Sequence, residues 1–285
     1  MPLTGVLPVG IFPLWKPYYS GGGKTLRIIH CLMALAVTFP VPVSGVSAGT
    51  DAPCRLVDAP TAGILRPRQY LIETQLFDGG GIVQRALVGL NSYVSAGVSY
   101  GGSGMIGSQR VIWQPHAGID LRVRLIEESV KVPALVLGFD TQGDGPYLPG
   151  PGLNRFRYKS RGVYLAMSRN YRFFGDFGVH GGANYSLEKD DGDFDPSFWV
   201  GFDKDFGDRF DLRAEYDFAS NNGDGGRLTV RHGFLNAALV GHLSKRFALE
   251  FDLRNLLRSD HRDAIGMVSD PQPSRELRIF YTGTF

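Results

Sequence analysis

Apolar and polar residues alternate with a period of two in many short stretches between residue 70 and the C-terminal residue of the chain. In the stretch 208–219, Phe210, Leu212 and Tyr216 lie on one side of the alternation and Asp211 and Arg213 on the other. Successive side chains of a β-strand point to opposite faces, so the pattern predicts strands with one apolar and one charged face. About twelve such strands are predicted, at 70–77, 82–90, 93–101, 117–127, 133–141, 161–170, 175–187, 196–206, 208–219, 233–244, 246–257 and 274–285.

The links between these stretches differ in length. The links after the second, fourth, sixth, eighth and tenth stretches are short, such as 91–92, whereas most of the others are long and polar, such as 142–160. A soluble β-sandwich also alternates, but short turns at one end and long loops at the other are typical of outer-membrane barrels. In lipid every backbone polar group needs a partner, so an apolar-faced sheet must close on itself. The sequence therefore predicts an all-β fold, a single closed antiparallel transmembrane β-barrel in the cell outer membrane.

The last predicted strand ends on an aromatic residue in register with its apolar face. Leu277, Ile279, Tyr281 and Phe285 share that face. The strand resembles the closing strand of bacterial outer-membrane β-barrels, in which alternate apolar residues and a final Phe are read by the barrel-insertion machinery. The resemblance implies that Tyr281 and Phe285 form an insertion signal, and that outer-membrane lipid and the insertion machinery are partners.

The N-terminal part of the chain differs in composition from the rest. A basic stretch at 24–27, an apolar stretch at 28–39 and small residues at 46–48 predict that residues 1–48 are an N-terminal extension and signal peptide. Residues 49–69 are rich in proline and aperiodic, so we expect a periplasmic lead-in, with the barrel at 70–285. After residue 48 the chain has 27 basic and 28 acidic side chains, a balance that excludes nucleic-acid binding.

Charged residues on the polar strand faces point into the bore if the apolar faces meet lipid. Two interpretations remain open: opposite charges pair and fill the bore, or they line a narrow polar passage. A bore of about twelve strands lies between the filled eight-stranded barrels and the open sixteen-stranded porins. The candidate lumen-lining residues are Asp120, Arg122, Arg124, Asp203, Asp211, Arg213, Glu215, Asp217, Glu250, Asp252, Arg254, Glu276 and Arg278.

No motif in the sequence predicts an enzyme or a cofactor. His180 and His242 lie within clean predicted strands, and neither is followed by a nucleophile motif. The enzymatic alternative is a membrane-embedded hydrolase acting on lipid or peptide at the barrel rim. The loop 189–195 carries four carboxylates around a glycine, which gives weak candidate calcium ligands, although a solvated external loop is the preferred interpretation. Those candidates are Asp190, Asp191, Asp193 and Asp195.

Several aromatic residues are candidates for membrane anchors. Trp and Tyr are enriched at both membrane–water interfaces, because their rings are amphipathic. We expect the following side chains to mark interfacial girdles: Trp113, Tyr147, Trp199 and Tyr216.

The middle of the chain resembles a known family. Segments 122–129 (RVRLIEES), 133–143 (PALVLGFDTQG) and 162–171 (GVYLAMSRNY) are similar to part of the YjbH-like outer-membrane proteins, over residues 119 to 185. Those proteins are associated with exopolysaccharide production or export, so the resemblance implies polysaccharide or its export components as partners. The combined prediction is a monomeric, non-enzymatic barrel that acts as a narrow channel or as an accessory to exopolysaccharide export. A structural or adhesive barrel with loop-mediated surface contacts is a further alternative.

Overall fold

The computed structural model describes residues 53–172, 174–207, 209–222, 230, 232–259 and 273–285. The predicted signal peptide, with Cys31, lies outside the described residues. In the described part no helix is long and apolar enough to cross a membrane. Its elements are a short 3-10 turn, Ser220–Asn222, and the strands β1 Gln69–Phe77, β2 Gly81–Gly89, β3 Val94–Ser103, β4 Ile112–Trp113, β5 Gly118–Ile126, β6 Ala134–Asp140, β7 Asp144–Leu148, β8 Arg155–Tyr158, β9 Gly162–Arg172, β10 Asp176–Tyr185, β11 Ser197–Asp205, β12 Phe210–Asp217, β13 Phe234–His242, β14 Phe247–Arg254 and β15 Ser274–Thr284.

Twelve of these strands form one closed antiparallel barrel. Neighbours in the barrel are neighbours along the chain, and β15 pairs with β1 to close the sheet. The other three lie in loops: β4 pairs with the end of β3, and β7 and β8 form a separate two-stranded sheet. Closure pairs both sides of every barrel strand and so removes the exposed edge that β15 would otherwise present. The prediction of an all-β, closed, twelve-stranded barrel is confirmed, and each predicted stretch corresponds to one barrel strand.

The two ends of the barrel differ. At one end, here called the short-turn end, brief links such as 90–93 and 243–246 join the strands. At the other, the long-loop end, links such as 104–117, 141–161 and 186–196 are several times longer. In outer-membrane barrels the short turns face the periplasm.

The barrel has an apolar outer face and a charged inner face. Leu212, Leu239 and Phe251 are paired across β12, β13 and β14, and they are 36%, 50% and 46% exposed. On the opposite face of β14 and β15, Glu250 and Arg278 are completely buried. A sheet with apolar side chains outside and charges inside fits hydrocarbon around it, since lipid-facing and lumen-facing residues alternate in transmembrane barrels. The protein is therefore a barrel of the outer membrane.

A charge on the outer face is expected to destabilise the barrel in lipid. Leu239→Arg places a guanidinium in the middle of β13, where the cost is about 2–4 kcal/mol near the bilayer midplane. The matched control is Leu243→Arg in the turn at the short-turn end, which is 65% exposed and should lose about 0–1 kcal/mol. Urea unfolding of both variants in phospholipid vesicles measures the difference. Equal losses would contradict a lipid-facing Leu239.

Candidate functional site

A segment that precedes the first barrel strand lies inside the bore. Residues 54–61 form a hairpin, with a bridge between Arg55 and Pro60 and a 2.9 Å hydrogen bond from Leu56 N to the Ala59 carbonyl. Leu56, Val57 and Ala59 are completely inaccessible to solvent. We call residues 53–66 the bore segment.

The bore segment lies within the range 49–69 that the sequence predicts as a periplasmic lead-in. In that range residues 53–65 are buried or half-buried inside the wall, whereas residues 66–68 are exposed. Proline lacks a backbone N–H, so this stretch cannot add a regular strand to the sheet. In the bore, inward-facing side chains supply the partners that a neighbouring strand would otherwise give to its backbone.

Glu215 on β12 holds the tip of the hairpin. Its carboxylate accepts hydrogen bonds from the backbone N–H groups of Val57 at 3.0 Å, Asp58 at 3.0 Å and Ala59 at 2.8 Å. Asn236 donates a fourth, at 2.9 Å. Successive backbone N–H groups that converge in this way form an anion-binding concavity, and here the anion is a side chain of the wall.

Asp58 at the tip is bound by two arginines of the wall. Arg254 donates to one carboxylate oxygen of Asp58, and Arg278 donates to the other at 3.1 Å. Arg278 also donates to the Val57 carbonyl. Because all of these groups are buried, breaking one pair leaves an uncompensated charge, which costs about 3–5 kcal/mol.

The rest of the bore segment is attached around the wall. Arg122 of β5 donates to the Cys54 carbonyl, and the Trp199 indole of β11 donates to the Pro60 carbonyl at 3.1 Å. The Ala62 N–H donates to the Ser168 hydroxyl at 2.8 Å, and the Leu65 N–H to the Ser95 hydroxyl at 3.0 Å. Strands on all sides of the barrel thus hold the segment through side chains.

Arg278 lies at the centre of the largest charge cluster. Carboxylates from β1, β14, β15, the bore segment and the 141–161 loop surround its guanidinium, so one cation ties five parts of the chain together. The carboxylate oxygens lie 3.0 Å away for Glu250, 3.1 Å for Asp58, 3.3 Å for Asp252, 3.8 Å for Glu73, 3.9 Å for Glu276 and 4.0 Å for Asp144.

The 141–161 loop covers the bore from the long-loop end. Asp144 of β7 accepts a hydrogen bond from Arg85 of β2 at 3.1 Å, and the Arg254 guanidinium lies 4.2 Å from the centre of the Tyr158 ring. Further out, Lys159 donates to Asp191 at 2.8 Å. Burial lowers the pKa of the Lys159 ammonium, and the hydrogen bond that Lys159 donates to Asp191 opposes that shift.

Free space in the bore is unequal on the two sides of the hairpin. Between the hairpin tip and the 141–161 loop, a cavity next to Asp58 and Tyr158 measures only about 10 Å³. A cavity of about 300 Å³ lies on the other side, between Cys54 and the turn at Lys245. In the described residues, therefore, the hairpin and the loop close the bore towards the long-loop end and leave a vestibule open at the short-turn end.

The candidate lumen-lining residues divide into two groups. Those less than 10% exposed are Asp120, Arg122, Glu215, Glu250, Asp252, Arg254, Glu276 and Arg278, and those half-buried are Arg124, Asp203, Asp211, Arg213 and Asp217. Pairs form across and along strands, such as Arg213 with Glu250 at 2.6 Å and Arg122 with Asp120 at 2.9 Å. This is the arrangement that the filled-bore interpretation predicts. Arg124 is separate from the central cluster and lies 4.0 Å from Glu127.

Sequence reasoning missed some of the central charges. Glu73 and Arg85 are 2% and 3% exposed and hydrogen-bonded at 2.8 Å, yet neither was a candidate. The polar residues Thr74 and Gln84 on the outer face of β1 and β2 obscure the alternation there. Asp58 and Asp144 lie outside the barrel strands, so periodicity carried no signal for them.

The described residues give no support to the calcium interpretation of the 189–195 loop. Nowhere among them do three or more His, Cys, Asp or Glu side chains come together as a metal site. Asp191 is already paired with Arg155 at 2.5 Å and with Lys159, and Asp190 accepts a hydrogen bond from Asn154 at 2.9 Å. Two cations of the 141–161 loop therefore already neutralise Asp191.

Ser168, His180 and Asp203 form a hydrogen-bonded row on β9, β10 and β11. His180 Nδ1 lies 2.7 Å from the Ser168 hydroxyl, and Nε2 lies 2.5 Å from Asp203. The residue types are those of a hydrolytic triad. Ser168 is 1% exposed, however, and its oxygen already accepts the Ala62 N–H, so in this arrangement the row holds the bore segment.

The aromatic predictions have mixed outcomes. Trp199 is not an interfacial anchor, because it is 1% exposed and lies in the bore on the same strand face as Asp203. Trp113 is 53% exposed and stacks on Tyr100 outside the barrel. Tyr281 and Phe285 are 38% and 72% exposed, and both rings lie next to Tyr70 of β1.

Comparison with known proteins adds a likeness to other barrels. No protein-family model matches the chain, so the resemblance to YjbH-like proteins finds no support there, and no curated protein matches it. The chain is similar to solved structures of the KdgM porin (12% identity, 76% of this chain, 99% of that chain, TM-score 0.44) and the NanC porin (11% identity, 76% and 99%, TM-score 0.44). It is also similar to a loop L8 deletion mutant of OmpT, an outer membrane protein of Vibrio cholerae (8% identity, 75% of this chain, 97% of that chain, TM-score 0.32).

Proposed function

We propose that the protein is an outer-membrane channel for small polar solutes, whose bore is closed by its own bore segment. The observation that carries the proposal is the way the closure is built. The hairpin at 54–61 lies across a charged bore, and it is held by side chains of the wall rather than by pairing with a barrel strand. It can therefore leave without opening the sheet.

The physical cost of opening is set by a few polar groups. Displacing the hairpin releases Glu215 and Asp58 from their partners, but water entering the bore can solvate both carboxylates. The wall keeps its own pairs, such as Arg213 with Glu250. Opening thus exchanges internal hydrogen bonds for hydration. Because the two free energies oppose each other, the closed and open positions can interconvert, as a gate requires.

Weakening the hold on the hairpin tip tests the proposal. Glu215→Gln replaces one of the two acceptor oxygens with an NH2 group, which cannot bond to a backbone N–H because both are donors. At least one charge-assisted bond worth about 1.5–3 kcal/mol is therefore lost. The open fraction in planar lipid bilayers should rise by roughly tenfold or more.

The matched control for this variant is Glu128→Gln at the short-turn end. Glu128 accepts two hydrogen bonds from Asn170 and touches no part of the bore segment, so its currents should equal those of the wild type. Identical opening in all three proteins would contradict a gate at the hairpin.

The finer roles remain predictions. Exopolysaccharide export rests on the resemblance of residues 119 to 185, and altered surface polysaccharide in a strain lacking the protein tests it. The hydrolase alternative has one structural argument, the row of Ser168, His180 and Asp203. Loss of a lipid- or peptide-cleaving activity in Ser168→Ala would favour it.

A further inference from the structure

The vestibule at the short-turn end has an excess of positive charge. It is lined by five cationic side chains, Arg55, Arg122, Arg213, Lys245 and Arg246, and by only two carboxylates, Glu73 and Asp120. His242 also lines it and lies 2.8 Å from Asp211. A cavity with low-dielectric walls and one dominant sign of charge concentrates ions of the opposite sign.

Several of these cations have donors that the protein does not use. Arg122 is neutralised by Asp120 through bonds from Nε and Nη2, but the buried Arg55 Nη1 has no hydrogen-bond partner among the described residues. Its nearest carboxylate is Glu73, at 3.8 Å.

Cations of the barrel wall also have unused hydrogen-bond donors or no carboxylate partner. Arg213 uses one nitrogen for Glu250, while its buried Nε has no hydrogen-bond acceptor in the described part of the chain. Lys245 and Arg246 lie exposed in the turn after β13, and no described carboxylate pairs with either side chain. Unmade hydrogen bonds of buried charged donors are costly, so an acceptor that enters the vestibule gains free energy.

The size of the cavity limits what can enter. About 300 Å³ lies at the lower end of the range for small-molecule sites. The donors belong to several separate side chains, so a compact molecule with several anionic groups can contact more of them than a single-charge ion can.

We propose that the vestibule binds a small organic polyanion between Arg55 of the bore segment and Arg213, Lys245 and Arg246 of the wall. This rests on the proposed function, because it names the class of solute at the same bore. Arg55 belongs to the hairpin, so an anion that bridges it to the wall favours the closed position.

Cys54 provides a direct test, since it lines the same vestibule and is the only cysteine that the structure describes. Burial raises the pKa of the Cys54 thiol, so labelling with N-ethylmaleimide is followed at about pH 9 in a Cys31→Ser background. Citrate, the probe, should slow the labelling of Cys54 by about tenfold at saturation, whereas uncharged glucose should not.

Variants assign the effect to the vestibule. Lys245→Gln with Arg246→Gln, both at exposed positions, should raise the citrate concentration for half-protection by about tenfold or more. The control is Arg110→Gln with Lys131→Gln, which removes the same charge at exposed positions outside the cavity and should change nothing. Failure of citrate to protect, equal protection by glucose, or an unchanged value in the vestibule variant would overturn the proposal.

Labelling needs no current, so the two hypotheses can fail separately. If Glu215→Gln opens the barrel and citrate does not protect Cys54, the channel stands without an anion site. If citrate protects and no variant conducts, the anion site stands without a channel.

Discussion

Deleting residues 53–61 is expected to turn a closed barrel into a conducting one. The deletion removes the whole hairpin, including Asp58 and the N–H groups that Glu215 binds, and leaves every barrel strand complete. The deletion frees space in a twelve-stranded bore that is wide enough to hold the hairpin. Water can enter that space and hydrate the charges of the wall. The mean current in planar bilayers should rise by about a hundredfold, because the open fraction of the channel would increase from about 1% to nearly 100%.

The control for the deletion removes 105–110 from the loop between β3 and β4. Those residues are all exposed and do not line either cavity of the bore, so the variant should conduct like the wild type. Both proteins are first checked for a folded barrel by their change in gel mobility on boiling in SDS. A folded deletion variant that stays closed would contradict the role of the hairpin as the closure and leave the 141–161 loop as the barrier.

Arg278→Met is expected to be the most destabilising single substitution in the barrel. Arg278 is completely buried, and its removal leaves Glu250, Asp252 and Glu276 crowded without their shared cation. Removing one partner of a buried charge cluster costs about 3–5 kcal/mol, and several like charges share this site. Urea unfolding in vesicles should show a loss of at least this size.

The matched control is Arg275→Met on the same strand. Arg275 is exposed near the start of β15, so its replacement should change the free energy of unfolding by no more than about 0.5 kcal/mol. If Arg278→Met is as stable as the control, the carboxylates around Arg278 cannot depend on it for charge balance.

Some outcomes show where sequence reasoning is sufficient. The alternation in 208–219 predicts β12, because the face that a residue occupies on a strand depends only on its place in the local order. The same rule places Trp199 on the inner face with Asp203. The prediction that Trp199 is an interfacial anchor was wrong because it used the residue type and ignored the face of the strand on which the residue lies. Glu73 and Arg85 were missed where outer-face polar residues blurred the period.

Local periodicity and the need to satisfy the backbone in lipid were enough to predict about twelve strands, a closed barrel and the side of each strong strand that carries the charges. The content of the bore, in contrast, could be seen only in the folded chain. The hairpin at 54–61 has no period, and its partners Glu215, Arg254 and Arg278 lie more than 150 residues away along the chain. Such contacts depend on how the barrel closes and on which inner side chains then meet, and no local pattern records that.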